Sequence, residues 1–363
     1  MLLLLLLISQ SASAIFMEGN LDPEMWQKDE RLPTAIYPME YALKVIPNVR
    51  AGNFSGSVDI NVTCEQPTSA IVLHAHEELH IDASRIAIIS NWNSRNVTIK
   101  EVERNSTTDQ LIILLKEEMQ TGDSYQLHIE FDGKMKRILS YYDMESDNHC
   151  GFFKGNFTNM GTVSLYAGTH MGVKCARRIF PCFDEPHYKA TFQISVACPQ
   201  NLTAHSVMPV EASEKADEEN WTWNYFAPTY PISTFSVNIF ISSLIQSEPI
   251  NVTTKYGEIK IQYHHGPNSK YQPILTEPIE GMVEFLEEFL GTPFPVPKLD
   301  IMLLPRPTYT YEETSLGTAI HRFISTLYCH FHISLIIHIL YLTCRIYTHN
   351  LRPGVFHAPQ SLT

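Results

Sequence analysis

The chain has 363 residues, 44% hydrophobic and 18% charged, enough for about two to three domains with cores of their own rather than a small stapled scaffold. Lys and Arg number 26 against 39 Asp and Glu, a formal net charge of -13. The summed field repels phosphate backbones and anionic lipid, which argues against a nucleic-acid partner.

Residues 1–14 read as a secretory signal peptide: a Leu run too short to span a bilayer, then small residues ending Ala12-Ser13-Ala14. Only the amino terminus supplies the positive charge usual at the front of such a segment, so a buried N-terminal strand is the alternative. Eight Asn-x-Ser/Thr acceptors follow, at Asn53, Asn61, Asn96, Asn105, Asn156, Asn201, Asn220 and Asn251. Together they predict a glycosylated protein, secreted or on the extracellular face of the plasma membrane. Seven Cys are too few for a dense disulfide framework in a chain this long. Cys175, Cys182 and Cys198 are close enough to suggest local pairs, and Cys64 and Cys150 are further candidates; the connectivity stays open.

Short apolar or alternating runs at 41–45, 56–61, 71–73, 97–100, 111–115 and 125–131 are separated by Asn, Gly, Pro and Asp punctuation, and the series continues at 161–166, 190–196, 221–226 and 234–241. These runs predict a mostly β fold, with one large antiparallel, sandwich-like sheet domain over residues 32–245. The period changes near Gln272. Apolar residues from Ile274 to Leu290 share a helical face, with Pro278 early and Gly291 at the end, and 298–304 reads as a strand with Asp300 near its start. Residues 250–322 are therefore expected to form the opening of a second, α/β domain. Residues 323–363 form a divergent apolar tail.

The segment ARRIFPCFDEPHYKATFQISV, residues 176–196, closely resembles the signature of the zinc aminopeptidase family that includes aminopeptidase N, the gluzincin metallopeptidases. The resemblance covers roughly residues 32–320, including the PFPVPKLDIMLLP run at 293–305. It implies that the second domain is the truncated start of a thermolysin-like peptidase domain. It also implies that Arg177, Arg178, Phe183, Asp184 and Pro186 form a structural hinge facing the catalytic domain. On their own chemistry, Arg177 or Arg178 with Asp184 and Glu185 can form buried or bridging ion pairs that hold a loop, anchored by Phe180 and Phe183. Where the family places a substrate-lining Gln six residues before the Ala-Arg-Arg triplet, this chain has His170.

Peptidase chemistry of this kind needs zinc, two His and a Glu on one helix, and a third, downstream Glu ligand. A literal H-E-x-x-H occurs at His76, Glu77, Glu78, Leu79 and His80. A strand-like run leads into it, no amphipathic helix surrounds it, Ile99 stands where the family has the third ligand, and it precedes the signature by about a hundred residues. The pentapeptide is therefore expected to be a coincidence on a strand edge or hairpin; the alternative is adventitious metal binding by His74, His76 and His80. Glu313 can be placed on the family's amine-binding Glu, with the residues around it replaced, so it is a remnant candidate for catalysis or substrate binding or else a solvated loop acid. None of the His residues from His321 onward begins H-E-x-x-H, and no Asp or Glu follows Glu313.

These readings predict an aminopeptidase-like secreted or extracellular fragment without catalytic activity, lacking the zinc helix and the third ligand, with no cofactor of its own although the full-length family uses zinc. Peptides or another ectodomain are the candidate partners. The alternatives are a zinc-dependent aminopeptidase, whether an isoform or a longer chain, and a binding ectodomain module. The apolar segment 323–347 is long enough to cross a bilayer and offers membrane association; a buried helix or hairpin, or unrelated translated sequence, are the other readings.

Overall fold

The computed structural model describes residues 30–137, 150–159, 162–266, 276–304, 312–315 and 318–322. The first strands are β1 (Ile36–Asn48), β2 (Asn53–Cys64), β3 (Thr68–His74), β4 (Ile86–Ser90), β5 (Ile99–Asn105), β6 (Gln110–Met119) and β7 (Ser124–Lys134). They are followed by β8 (Lys136–Arg137), β9 (Gly151–Asn159), β10 (Thr162–His170), β11 (Thr191–Pro199), β12 (Thr203–Ser206), β13 (Val210–Lys215), β14 (Trp221–Phe226) and β15 (Ile239–Ser242). The last part holds β16 (Ile245–Gln246), β17 (Ile250–Thr254), β18 (Gly257–His265), helix α1 (Thr276–Leu290), β19 (Lys298–Leu304), β20 (Glu312–Ser315) and β21 (Thr318–Arg322).

The main sheet has seven strands in the order β13-β14-β11-β1-β2-β7-β4. Alternation puts every second side chain on one face, and the registers align those faces into rows. Phe192, Tyr41, Ile60 and Leu127 face one another across four strands, and Ile194, Leu43, Val58 and Ile129 form the next row. All eight are buried. The Tyr41 and Phe192 rings stack with centroids 4.5 Å apart. A three-stranded sheet, β3-β6-β5, and a five-stranded sheet, β12-β15-β10-β9-β8, complete the first domain, and one apolar core runs through most of it.

Three features differ from the sequence expectation. The β1–β11 pairing is parallel, so the otherwise antiparallel main sheet is joined at its centre by strands about 150 residues apart, a pairing that alternation cannot reveal. Residues 234–236 form a 3-10 turn, and the strand expected from 234 begins at Ile239; the buried Thr234 hydroxyl bonds to Asp184 of the signature segment. Cys175 pairs with Cys150, while Cys64, Cys182 and Cys198 are buried thiols. The suggested pairing among Cys175, Cys182 and Cys198 is therefore corrected: a disulfide needs convergent Cβ vectors, and nearness in sequence does not provide them.

The six-stranded second sheet has β16-β18-β19-β21-β20 with β17 also on β18; β18–β19 and β19–β21 are parallel. Its core of Val252, Ile259, Ile261, Tyr263, Leu299, Ile301 and Leu303 takes Val283 from α1. The helix ends at Gly291, whose φ of +67° is the left-handed cap conformation that favours glycine. Met302 enters a cluster with Phe153, Phe157, Tyr166, Phe240 and Leu244 of the five-stranded sheet and its flank, tying the two domains together.

Candidate functional site

The signature segment folds around a buried ion pair. Residues 176–178 form a 3-10 turn that aims the Arg177 guanidinium at Asp184, with Nε 3.0 Å from Oδ2 and both side chains almost fully buried. Arg177 also donates to the Asp184 carbonyl, at 3.3 Å, and lies 3.7 Å from Asp109. Thr234, in the 234–236 turn, donates to the second carboxylate oxygen of Asp184 at 2.7 Å. Phe183 N–H donates to the Tyr41 hydroxyl at 3.1 Å, Ser233 donates to the Pro186 carbonyl at 2.7 Å, and Leu32 N–H donates to Glu185 at 2.7 Å. With Phe180 and Phe183 in the core, the segment holds the amino-terminal stretch, β1 and the 233–236 turn in one place.

The H-E-x-x-H pentapeptide is part of this assembly. Residues 76–80 form a turn directly after β3, closed by a Leu79 N–H to His76 carbonyl bond of 2.9 Å. Leu79 is buried, while Glu77 and His80 are exposed. Arg104 donates to the carbonyls of Leu79 and His76 at 2.8 and 3.0 Å, His76 N–H donates to the Arg177 carbonyl at 2.9 Å, and Glu78 takes Arg178 at 3.2 Å and Lys136 at 3.4 Å. The His76 ring lies 3.9 Å from Asp109 and 3.7 Å from Glu78, and burial together with the Arg178 charge lowers its pKa. His80 pairs through its backbone with Asp132. Neighbouring His74 is fully buried and donates to the Glu30 carbonyl at 3.1 Å; burial and the Arg177 charge push its pKa down to about 3.

Among the described residues, one group of three metal-capable side chains has ligand atoms within 4.8 Å of one another, and it is elsewhere: His205, His264 and Asp300. These residues come from β12, β18 and β19. Asp300 sits 3.0 Å from His264 Nε2 and 3.5 Å from His205 Nδ1, and the two rings are 4.2 Å apart. Lys298, two residues before Asp300 on the same strand face, pairs with the carboxylate and donates to the Ser206 carbonyl at 2.6 Å. Burial works against the Asp300 charge, but the bonds from both imidazoles and the Lys298 ammonium hold its carboxyl far below the ordinary range. Burial pushes His205 down to about 4 and lowers Lys298. The sequence hinted at this cluster only through the Lys298-x-Asp300 spacing, because its histidines come from strands 36 and about 95 residues away.

Of the other predicted residues, His170 closes β10 opposite Gly151, and Glu313 pairs through its backbone with Ile320. Asn53, Asn96, Asn156, Asn201, Asn220 and Asn251 are exposed, and Asn61 and Asn105 are half-buried. Residues 1–14 and 323–363 lie outside the described residues, so the signal and membrane-association expectations fall there. Among the described residues no helix is long and apolar enough to cross a membrane.

Fold and sites together define a multi-sheet β-domain, locked by a buried Arg–Asp pair, leading into a mixed sheet with one helix. The chain belongs to the peptidase M1 family: residues 37–236 match the Peptidase M1 N-terminal domain. It is 29% identical to aminopeptidase N of Canis lupus familiaris over 287 residues, 76% of this chain and 28% of that protein. It is 29% identical to endoplasmic reticulum aminopeptidase 1 of Homo sapiens over 299 residues, 82% of this chain and 30% of that one. Glutamyl aminopeptidase of Sus scrofa is 27% identical over 304 residues, 80% of this chain and 30% of that one. The chain thus spans about three tenths of the length of these curated relatives.

The zinc that family membership implies does not fit either donor set. The pentapeptide is a turn, not a helix that stacks two imidazoles on one face: the His80 side chain is exposed, while the His76 ring lies half-buried beside Asp109. At the buried cluster, the Lys298 ammonium already neutralises the one carboxylate.

Proposed function

We propose that this chain is an aminopeptidase-like glycoprotein, secreted or held at the extracellular face, that does not itself cleave peptides and binds peptides or another ectodomain. The observation that supports the non-catalytic reading is the fold of residues 76–80, the only H-E-x-x-H in the sequence: they form a turn bonded to the signature segment through His76 N–H and Glu78, with the Glu77 and His80 side chains exposed and apart from a helix that would align two imidazoles. The leader-like residues 1–14 and the exposed Asn-x-Ser/Thr sites support the extracellular, glycosylated part of the reading.

The test is metal analysis of the monodisperse full chain, with turnover of alanyl and leucyl amides by the chain and by Glu77→Gln. Substoichiometric zinc and no turnover are expected. Stoichiometric zinc with hydrolysis that Glu77→Gln abolishes would overturn the proposal. A second reading is favoured by the three-tenths coverage of relatives named as aminopeptidases: zinc-dependent removal of N-terminal residues, carried by residues outside this chain. Native transcripts read across codons 317–328 test it; a continuation bearing H-E-x-x-H and a downstream Glu would establish this reading.

A further inference from the structure

The His205–His264–Lys298–Asp300 cluster sits on the boundary between the two domains. His205 and Ser206 belong to β12 of the five-stranded sheet, while His264 on β18 and Lys298 and Asp300 on β19 belong to the second sheet. Two polar contacts cross the boundary here: His205 Nδ1 lies 3.5 Å from Asp300, and the Lys298 ammonium donates to the Ser206 carbonyl at 2.6 Å. Beside them runs an apolar seam. Met302, two residues after Asp300 on the same strand, shares a buried cluster with Phe240, which stands opposite His205 in the strand register.

Protons unbalance the polar half of this junction but not the apolar half. With Lys298 and Asp300 charged and both imidazoles neutral, the cluster carries no net charge. His264 donates from Nε2 to Asp300 at 3.0 Å, and its Nδ1 is buried without a hydrogen-bond partner among the described residues. A proton added there is a buried N–H with no acceptor. A proton added to His205 faces the Lys298 ammonium and the His264 ring, whose centroid is 4.2 Å away. Either proton leaves one net positive charge among four buried side chains, which is costly without a counter-ion of its own. The facing groups offer none: Asp300 is already shared by Lys298 and both rings, and Lys260 on β18 adds a further positive charge. His265, next to His264, is turned to the Gly266 carbonyl, 2.8 Å from its Nδ1.

We infer that this cluster is an acid-released latch between the two domains: a proton on His205 or His264 parts β12 from β18 and β19 while the main sheet of the first domain stays folded. Parted, both rings meet water and titrate near the ordinary 6.5, whereas burial holds the docked His205 at about 4. Between those values the parted form binds the extra proton, so acidification favours parting. Linkage through His205 alone shifts the equilibrium roughly 30-fold between about pH 7.5 and about pH 5. The inference goes beyond the proposed function and holds whether or not the chain cleaves peptides.

Met302 reports the latch directly. It is 0% exposed in the seam, so peroxide reaches its thioether only when the domains part or the chain unfolds, and a thioether does not titrate. Met119, 1% exposed in the three-stranded sheet of the first domain, reports unfolding alone. The experiment follows oxidation of both residues in the full chain by peptide mass spectrometry. From about pH 7.5 to about pH 5 the Met302 rate should rise about tenfold or more beyond any rise at Met119. In the double variant His205→Asn, His264→Gln the side-chain amides stand where Nδ1 and Nε2 stood, still donate to Asp300 and take no proton, so that excess should vanish. A Met302 rate that rises no more than the Met119 rate would overturn the inference, as would an excess that survives the double variant. Should that variant not fold, His205→Asn alone should cut the excess several-fold, and an unchanged excess would overturn the inference too.

Discussion

His74 should contribute acid lability to the first domain, and His74→Leu should remove that contribution. The unfolded imidazole titrates near its ordinary value of 6.5, whereas the folded one is pushed down to about 3 by burial and the Arg177 charge. Between these values the unfolded chain holds the extra proton, so stability falls as pH falls through that window. At about pH 5 the folded ring is neutral while the unfolded ring is almost wholly charged, and linkage gives a loss of about 2 kcal/mol relative to about pH 7.5. For a domain of this size that is roughly 4–8 °C in Tm.

Leucine also removes the imidazole Nδ1, which has no partner among the described residues, at the cost of the bond to the Glu30 carbonyl. The assay is thermal and urea unfolding of the chain and His74→Leu across that pH range. The stability difference should move in favour of the variant by about 2 kcal/mol on acidification, because other buried histidines such as His205 titrate identically in both proteins. A difference independent of pH would refute the reasoning.

Three further outcomes are expected. Arg177→Met strands the buried Asp184 charge and should cost about 3–5 kcal/mol in urea unfolding, whereas a loss below about 1 kcal/mol would mean that the pair is not buried in solution. Lys298→Met and Asp300→Asn should each be strongly destabilising, while the double variant should be less so than their sum by about 1 kcal/mol or more; strict additivity would deny the coupling within the His205–His264–Lys298–Asp300 cluster. Cys150→Ser opens a disulfide between residues 25 apart and should lower stability by about 3 kcal/mol, with an unchanged Tm under oxidising conditions arguing that the pair does not form.

Much of the first domain is legible locally. Alternation along 41–45, 56–61 and 125–131 places Tyr41, Leu43, Val58, Ile60, Leu127 and Ile129 on buried faces, because residues two apart on a strand share a side whatever the rest of the chain does. The same local reasoning sees a loop held by Arg177 or Arg178 with Asp184 and Glu185 and anchored by Phe180 and Phe183, a helix ending at Gly291, and no helical surroundings for His76–His80; only packing sends Arg177 to Asp184 and Arg178 to Glu78. The family signature is legible too, since it is a contiguous run of residues.

What the chain alone leaves open depends on where distant segments meet. The parallel β1–β11 seam, the choice of Cys150 as the partner of Cys175, and the Thr234 bond to Asp184 join segments 25 to about 150 residues apart. The His205–His264–Lys298–Asp300 cluster belongs to the same class. Pattern along the sequence fixes which side of a strand is apolar; only the packed arrangement decides which buried charge finds a counter-charge, because desolvation and Coulomb terms depend on distance in space.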